Sequence, residues 1–295
     1  MRDTTVNDKT RSLTKVQRNL TIKRHVRRTS LAVVVYGIAI LYFFPVLYMF
    51  VSAFKTEFQA VYPTFNFTPT LETMTRVLSN PTIINALRNS IFQVFFGTLL
   101  CLALGIPAAF QLVFGQFKKQ ATNEKLFVWF LVTILLPPVA ILIPVYTWFQ
   151  EFGIINTRGG LLILYVGFNT PIVIWMVYSF FSDLPKQIME AADIDGCSMW
   201  RKMLQIGVPL IRPGIIAAGL LVAVFIWNEF FLAFNLTGNR TATLPVYLAR
   251  FREQQGLYVA QLSAASTVAV LPPVVFGWMS QKALVKGLTK GAVKG

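Results

Sequence analysis

GGLLILYVGFNTPIVIWMVYSFF, residues 159–181, contains no charged side chain. A helix rises about 1.5 Å per residue, and roughly 20 apolar residues cross the hydrocarbon core of a bilayer. The run is long enough to do so. Five more segments repeat the pattern: Leu31–Phe54, Ser90–Phe117, Leu126–Gln150, Pro213–Phe234 and Gln254–Gln281. Glu229, in the fifth of the six in chain order, is the only charged residue in the set. The 295 residues are 55% hydrophobic and 13% charged, with mean hydropathy +0.59, whereas a soluble domain is about a quarter charged. Six core helices of a soluble protein are rarely all so long and so poor in charge. A membrane barrel would show alternating segments of about ten residues, a pattern absent here. The expectation is an all-α, polytopic membrane protein with six transmembrane helices.

Lys and Arg set the orientation. The segments before the first span, between the second and third, between the fourth and fifth, and after the last together hold 20 of them, against 7 in the alternate loops. The richer side faces the cytoplasm, so both termini are expected there. The net charge of +15 is therefore a product of topology and does not point to nucleic acid. Residues 1–30 form a basic cytoplasmic tail whose Lys23, Arg24, Arg27 and Arg28 suit anionic lipid headgroups. Residues 31–284 form the membrane domain, with a cytoplasmic loop at 182–212, and residues 285–295 a second cytoplasmic tail. The first outer loop, Lys55 to Asn89, contains YPTFNFTPT and is expected to be extended near the membrane surface. Cys101 lies in a span and Cys197 in a cytoplasmic loop, so no disulfide is expected. With His25 the sole histidine, no metal site is expected either.

Three spans carry prolines near mid-depth: Pro137-Pro138, Asn169-Thr170-Pro171 and Pro272-Pro273. Each proline removes a donor and frees the carbonyl four residues earlier. Inside lipid such carbonyls must face protein or a water-filled cavity. Three such sites predict broken helices around a polar cavity at the midplane, as transporters build. Glu229 follows Trp227-Asn228 and lies about 24 Å from the inner face, in the outer third of its span. An intramembrane acid is a candidate for function by default; a structural hydrogen bond near the interface is the competing reading.

The loop before that span reads EAADIDGCSMWRKMLQIGVPLIRP, residues 190–213. Pro185 suits a helix start, and Gly196 suits the left-handed position that ends one. Ser198 suits the cap of a second short helix, which Pro209 and Pro213 stop before the fifth span. Small Ala191 and Ala192 beside Glu190, Asp193 and Asp195 form a surface suited to docking in another protein's cleft.

This loop resembles the EAA loop of ATP-binding-cassette importer permeases: Glu190, Ala191, Ala192, Asp195, Gly196, Pro209 and Pro213 match position by position. Cys197 stands where Ala is usual and Met203 where an aromatic is common. Asn89-Ser90, PAAF at 107–110, WNEF at 227–230 and the ending SQKALVKGLTKGAVKG extend the resemblance to the smaller permease of maltose-type systems for sugars or sugar alcohols. The resemblance implies a bacterial inner-membrane subunit paired with a second, non-identical permease. It further implies two copies of an ATPase subunit beneath, an extracytoplasmic solute-binding protein, and coupling through Glu190, Ala191, Ala192, Asp195 and Gly196. The chain has no phosphate loop of its own, so it is expected to be no enzyme, with ATP and Mg on the partner subunits. Asn169, Thr170, Trp227, Asn228 and Glu229 are expected to line the solute pathway. An ion-coupled secondary transporter is the alternative, and off-centre Glu229 is its sole membrane acid. A membrane-embedded enzyme lacks a catalytic cluster, and an idle scaffold leaves the proline sites without a role.

Overall fold

In the computed structural model the backbone is described for residues 4–115, 120–254 and 258–292, and side chains for 27–115, 122–250 and 258–279. The basic side chains before residue 27, Lys118, Lys119 and the tail at 285–295 lie outside the described side chains. The described residues form helices and loops without a strand. The chain divides into two units, Met1–Ser52 and Ala53–Gly295.

The first unit is one helix, α1 (Thr4–Ser52). Its stretch 27–52 is long and apolar enough to cross a membrane. Val33, Tyr36, Ile40, Leu41 and Tyr42 are all exposed around its circumference, a pattern that suits lipid or a partner helix rather than water. From Thr4 onward the basic segment before Leu31 is helical and continuous with the apolar stretch.

The second unit contains α2 (Glu57–Ala60), α3 (Glu72–Ser79), α4 (Pro81–Phe114), α5 (Gln120–Ile134), α6 (Pro138–Glu151) and α7 (Arg158–Ser182). Then follow α8 (Lys186–Ile194), α9 (Met199–Arg201), a π-helical segment Lys202–Gly207 and α10 (Val208–Leu210). The remaining helices are α11 (Arg212–Asn228), α12 (Phe231–Leu236), α13 (Leu244–Gln254) and α14 (Val259–Ala292). The core is α4 packed along α7, with α11 against both and α14 against α11. Glycines allow this closeness: a Cβ on Gly105 would sit 2.6 Å from Val173, and one on Gly97 2.7 Å from Ile226. Small residues at such crossings replace the hydrophobic drive that is missing between helices in lipid. Phe110, Tyr165, Val173, Phe181 and Val222 fill the centre.

The first outer loop is not simply extended. It holds α2 and α3, and the Glu57 carboxylate accepts from Ala260 N at 3.0 Å and Gln261 N at 2.9 Å, capping α14. Helix α4 also starts at Pro81, well before the charge-free run opens at Ser90. Asn80 caps it by accepting from Thr82 N at 2.9 Å.

Among the described residues four helices are long and apolar enough to span a membrane, and up to six spans result if each bent pair counts as one. The pairs are α5 with α6, bent by 89°, and residues 199–210 with α11, bent by 82°. Of the three expected breaks, only Pro137-Pro138 interrupts a helix; Pro171 lies inside α7 and Pro272-Pro273 inside α14. Side chains explain part of this tolerance. Pro273 frees the carbonyl of Ala269, and Trp227 Nε1 donates to that oxygen at 3.0 Å. Near Pro171, Thr170 Oγ1 and Asn169 Nδ2 bond the carbonyls of Val166 and Tyr165, at 2.7 and 2.8 Å, and not that of Gly167, which Pro171 frees. Two bends unmarked by mid-span prolines appear instead, at Ile211 and at Glu229, where α11 gives way to α12.

Alternate loops gather at opposite ends of this unit. At one end Asn156 N donates to Leu236 O, and Asn89 bonds the backbone at 240 and 242. At the other, Asn123 Nδ2 donates to Leu112 O, beside α8.

Candidate functional site

Helix α8 is built as its sequence suggests. Pro185 precedes its first residue, and Asp195 N, Gly196 N and Cys197 N donate to the carbonyls of Ala191, Asp193 and Ala192, closing its last turn. Gly196 has φ +69°, a conformation open to glycine at no steric penalty. Ser198 Oγ accepts from Arg201 N at 3.4 Å and starts the second helix. That second helix does not stop at Pro209. It runs through the π segment to Leu210, and Pro213 stands in the first turn of α11.

Met189 and Ala192 turn inward, while Glu190, Ala191, Asp193, Asp195 and Gly196 face out. Two apolar side chains that sequence reading passed over stand beside them: Ile194 is 87% exposed and Trp200 64%. Lys202, nearly buried, reaches Asp193 with Nζ–Oδ1 at 2.5 Å and ties the two halves of the loop together. Beneath the loop lies an open cavity of about 520 Å³, lined in part by Glu124, Lys186, Glu190, Asp193 and Lys202.

The five membrane residues are not gathered into one polar chamber. Asn169 is buried and bonds its own helix, and Asn228 Nδ2 likewise donates to Val224 O at 2.8 Å. Trp227, buried, serves the freed carbonyl of Ala269 while lining an apolar groove of about 600 Å³ between α4, α11 and α14. Glu229 is held by three bonds. Its carboxylate accepts from Leu232 N at 2.8 Å, Ala233 N at 3.2 Å and the hydroxyl of fully buried Tyr165 at 2.8 Å. It thus caps α12 and joins that helix to α7. Sequence alone held no sign of Tyr165 in this role.

At the opposite end from α8, polar side chains of α4 converge on the segment after α12. Asn89, fully buried, donates through Nδ2 to Arg240 O at 3.1 Å and Ala242 O at 2.9 Å. Its Oδ1 accepts from Arg158 Nε at 2.7 Å. Ser90 Oγ accepts from Leu244 N at 2.8 Å, capping α13, and Gln93 Nε2 donates to Arg158 O at 2.9 Å.

Comparison with known proteins agrees with this architecture. Residues 101–290 match the family model for the binding-protein-dependent transport system inner membrane component. A probable ABC transporter permease protein of Sinorhizobium fredii is 32% identical over 87% of this chain and 92% of its own length. The trehalose/maltose transport system permease protein MalG of Thermococcus litoralis is 33% identical over 87% of this chain and 93% of its own. Among solved structures, a bacterial ABC transporter involved in the import of the acidic polysaccharide alginate superposes with a TM-score of 0.74. It shares 20% identity and covers 88% of this chain and 96% of that one. The chain belongs to the family of binding-protein-dependent transport system inner membrane components and is a permease subunit of such an importer.

Proposed function

We propose that this chain forms half of the translocation pathway for a carbohydrate or polyol in an ATP-driven importer of the bacterial inner membrane. It spans the membrane six times with both termini in the cytoplasm, the bent α5–α6 pair and the bend into α11 each belonging to one span. A second, different permease completes the pathway, and two copies of an ATPase subunit dock below and carry the ATP and Mg. A solute-binding protein delivers the substrate at the outer face. Glu190, Ala191, Asp195 and Gly196 form the coupling surface, with Ala192 turned inward to seat the helix on the core, and Asn169, Thr170, Trp227, Asn228 and Glu229 contribute to the pathway, those with satisfied hydrogen bonds by shaping it. The sugar class follows the names of relatives such as the trehalose/maltose permease.

The observation that carries this reading is α8: a short helix closed at Gly196, presenting Glu190, Ala191, Asp195 and a largely exposed Ile194 away from the core. Its bonded last turn and the Lys202–Asp193 pair make it a lever that moves as a body. The test is to purify complexes bearing Glu190→Ala or Gly196→Val through a tag on this chain. Loss of the ATPase subunit, or ATP hydrolysis no longer tied to uptake, is the expected result, with membrane insertion unchanged. Full uptake in both variants would refute coupling through this loop.

A further inference from the structure

Asn89 and Ser90 entered the sequence reading only as a mark of family, and the coupling mechanism gives them no task. Their surroundings do. Asn89 is fully buried and uses both amide hydrogens and its oxygen on partners distant in sequence: two donated bonds to the backbone at 240 and 242 and one accepted from Arg158 Nε. Ser90 caps α13 at Leu244 N. Asn85, one turn earlier, donates to Arg240 O at 2.8 Å. From the turn before α7, Asn156 adds its own grip: its Oδ1 accepts from Gly238 N at 2.6 Å and from the hydroxyl of Thr241. Arg158 lies over the Phe92 ring at 5.8 Å, and Gln93 fastens Arg158 O.

The result is a loop held by side-chain hydrogen bonds as well as by the packing of Ala242 and Leu244 in the core. Between Gly238 and Leu244 the backbone is bonded to α4 and to Asn156 in the turn before α7, while only Asn239 and Arg240 are exposed. An unsupported loop of this length loses its shape readily, since each fixed residue costs about 1–2 kcal/mol in backbone entropy.

We propose that Asn89, with Ser90, Asn85 and Asn156, is a positioning residue: it fixes the 238–244 loop to the outer end of α4 and the turn that leads into α7. The loop then presents one preformed face to the solute-binding protein and moves with those helices when the pathway opens. This rests on the reading of the chain as a binding-protein-dependent permease with this loop outside. The clasp acts on docking and not on the ATPase cycle, so its loss should weaken the partner's grip without slowing the saturated complex.

Asn89→Asp tests it directly. The carboxylate keeps the acceptor for Arg158 but replaces the amide donor, and it repels the carbonyls of Arg240 and Ala242. The full importer, reconstituted in lipid nanodiscs, is titrated with its cognate solute-binding protein while ATP hydrolysis is followed. Amide hydrogen exchange is measured on the same samples. The expected result is faster exchange confined to residues 238–244 and a half-saturating binding-protein concentration raised about tenfold, the worth of two lost hydrogen bonds. The maximal hydrolysis rate should stay within about twofold. Ser90→Ala, which removes the acceptor for Leu244 N, should move the same two readouts less; it decides the question if Asn89→Asp fails to assemble. Unchanged exchange at 238–244 would mean the clasp does not hold the loop. Faster exchange with unchanged half-saturation would mean its shape is not read. Either overturns the proposal. If the unsubstituted complex is not stimulated by any binding protein, the functional reading itself fails, a result visible before any variant is compared.

Discussion

At Gly196 the backbone leaves no choice of sign. A Cβ there meets nothing within 4 Å, yet φ is +69°, so any penalty of substitution is conformational. An L-residue in the left-handed region loses roughly 1–2 kcal/mol, more if β-branched. Gly196→Asn should therefore keep the ATPase bound, while Gly196→Val should reduce the ATPase recovered with the tagged permease by about tenfold. Trp227 makes a different prediction. Its indole nitrogen fills the acceptor that Pro273 leaves open, so Trp227→Phe leaves a buried carbonyl unpaired and should destabilise the membrane domain by about 1–3 kcal/mol. Thermal unfolding in detergent reads this as a lower midpoint, and a Trp227→Phe, Pro273→Ala double variant should recover part of it by restoring the helical donor. Glu229→Gln should likewise lower the midpoint, because an amide offers one acceptor where the carboxylate serves α12 and Tyr165 together.

Helices and their ends show what sequence reveals and what it hides. Charge-free length made α4, α7 and α14 legible, and the local rules of capping placed α8, Gly196 and Ser198 correctly. Those signals depend on nearby residues alone. Proline rules did worse. Pro137-Pro138 breaks its helix, while Pro272-Pro273 does not, because the freed carbonyl of Ala269 finds Trp227, 42 positions away in the chain. The early start of α4 was hidden for the same reason: Asn85 and Asn89 look like loop residues until the 240–242 backbone arrives to receive them. Glu229 looked poised for solute or ion, and its bonds to α12 became visible only once that helix was placed. The Lys202–Asp193 pair belongs to this scale too. Asp193 is half exposed, so the pair contributes only about 0–1 kcal/mol. Asp193→Asn should leave thermal stability nearly unchanged, and any loss of coupling it produces should appear instead in the ratio of solute moved to ATP hydrolysed.

Across the whole molecule, function is divided by end. The end that holds α8 carries exposed charge, small residues and two bare apolar side chains; the opposite end is cross-tied through Asn89, Asn156 and Glu57. Between them α4, α7, α11 and α14 form one packed block. Apolar α1 and the exposed side chains of α5 and α6, among them Trp129, Val132 and Ile143, leave broad apolar surfaces. The most direct measurement is uptake into proteoliposomes that contain this chain with the subunits recovered beside it, energised in turn by internal ATP and by a proton or sodium gradient alone. The account predicts accumulation of a neutral sugar or polyol with ATP and binding protein present, and none with the gradient alone. Accumulation driven by the gradient, without ATP, would contradict it.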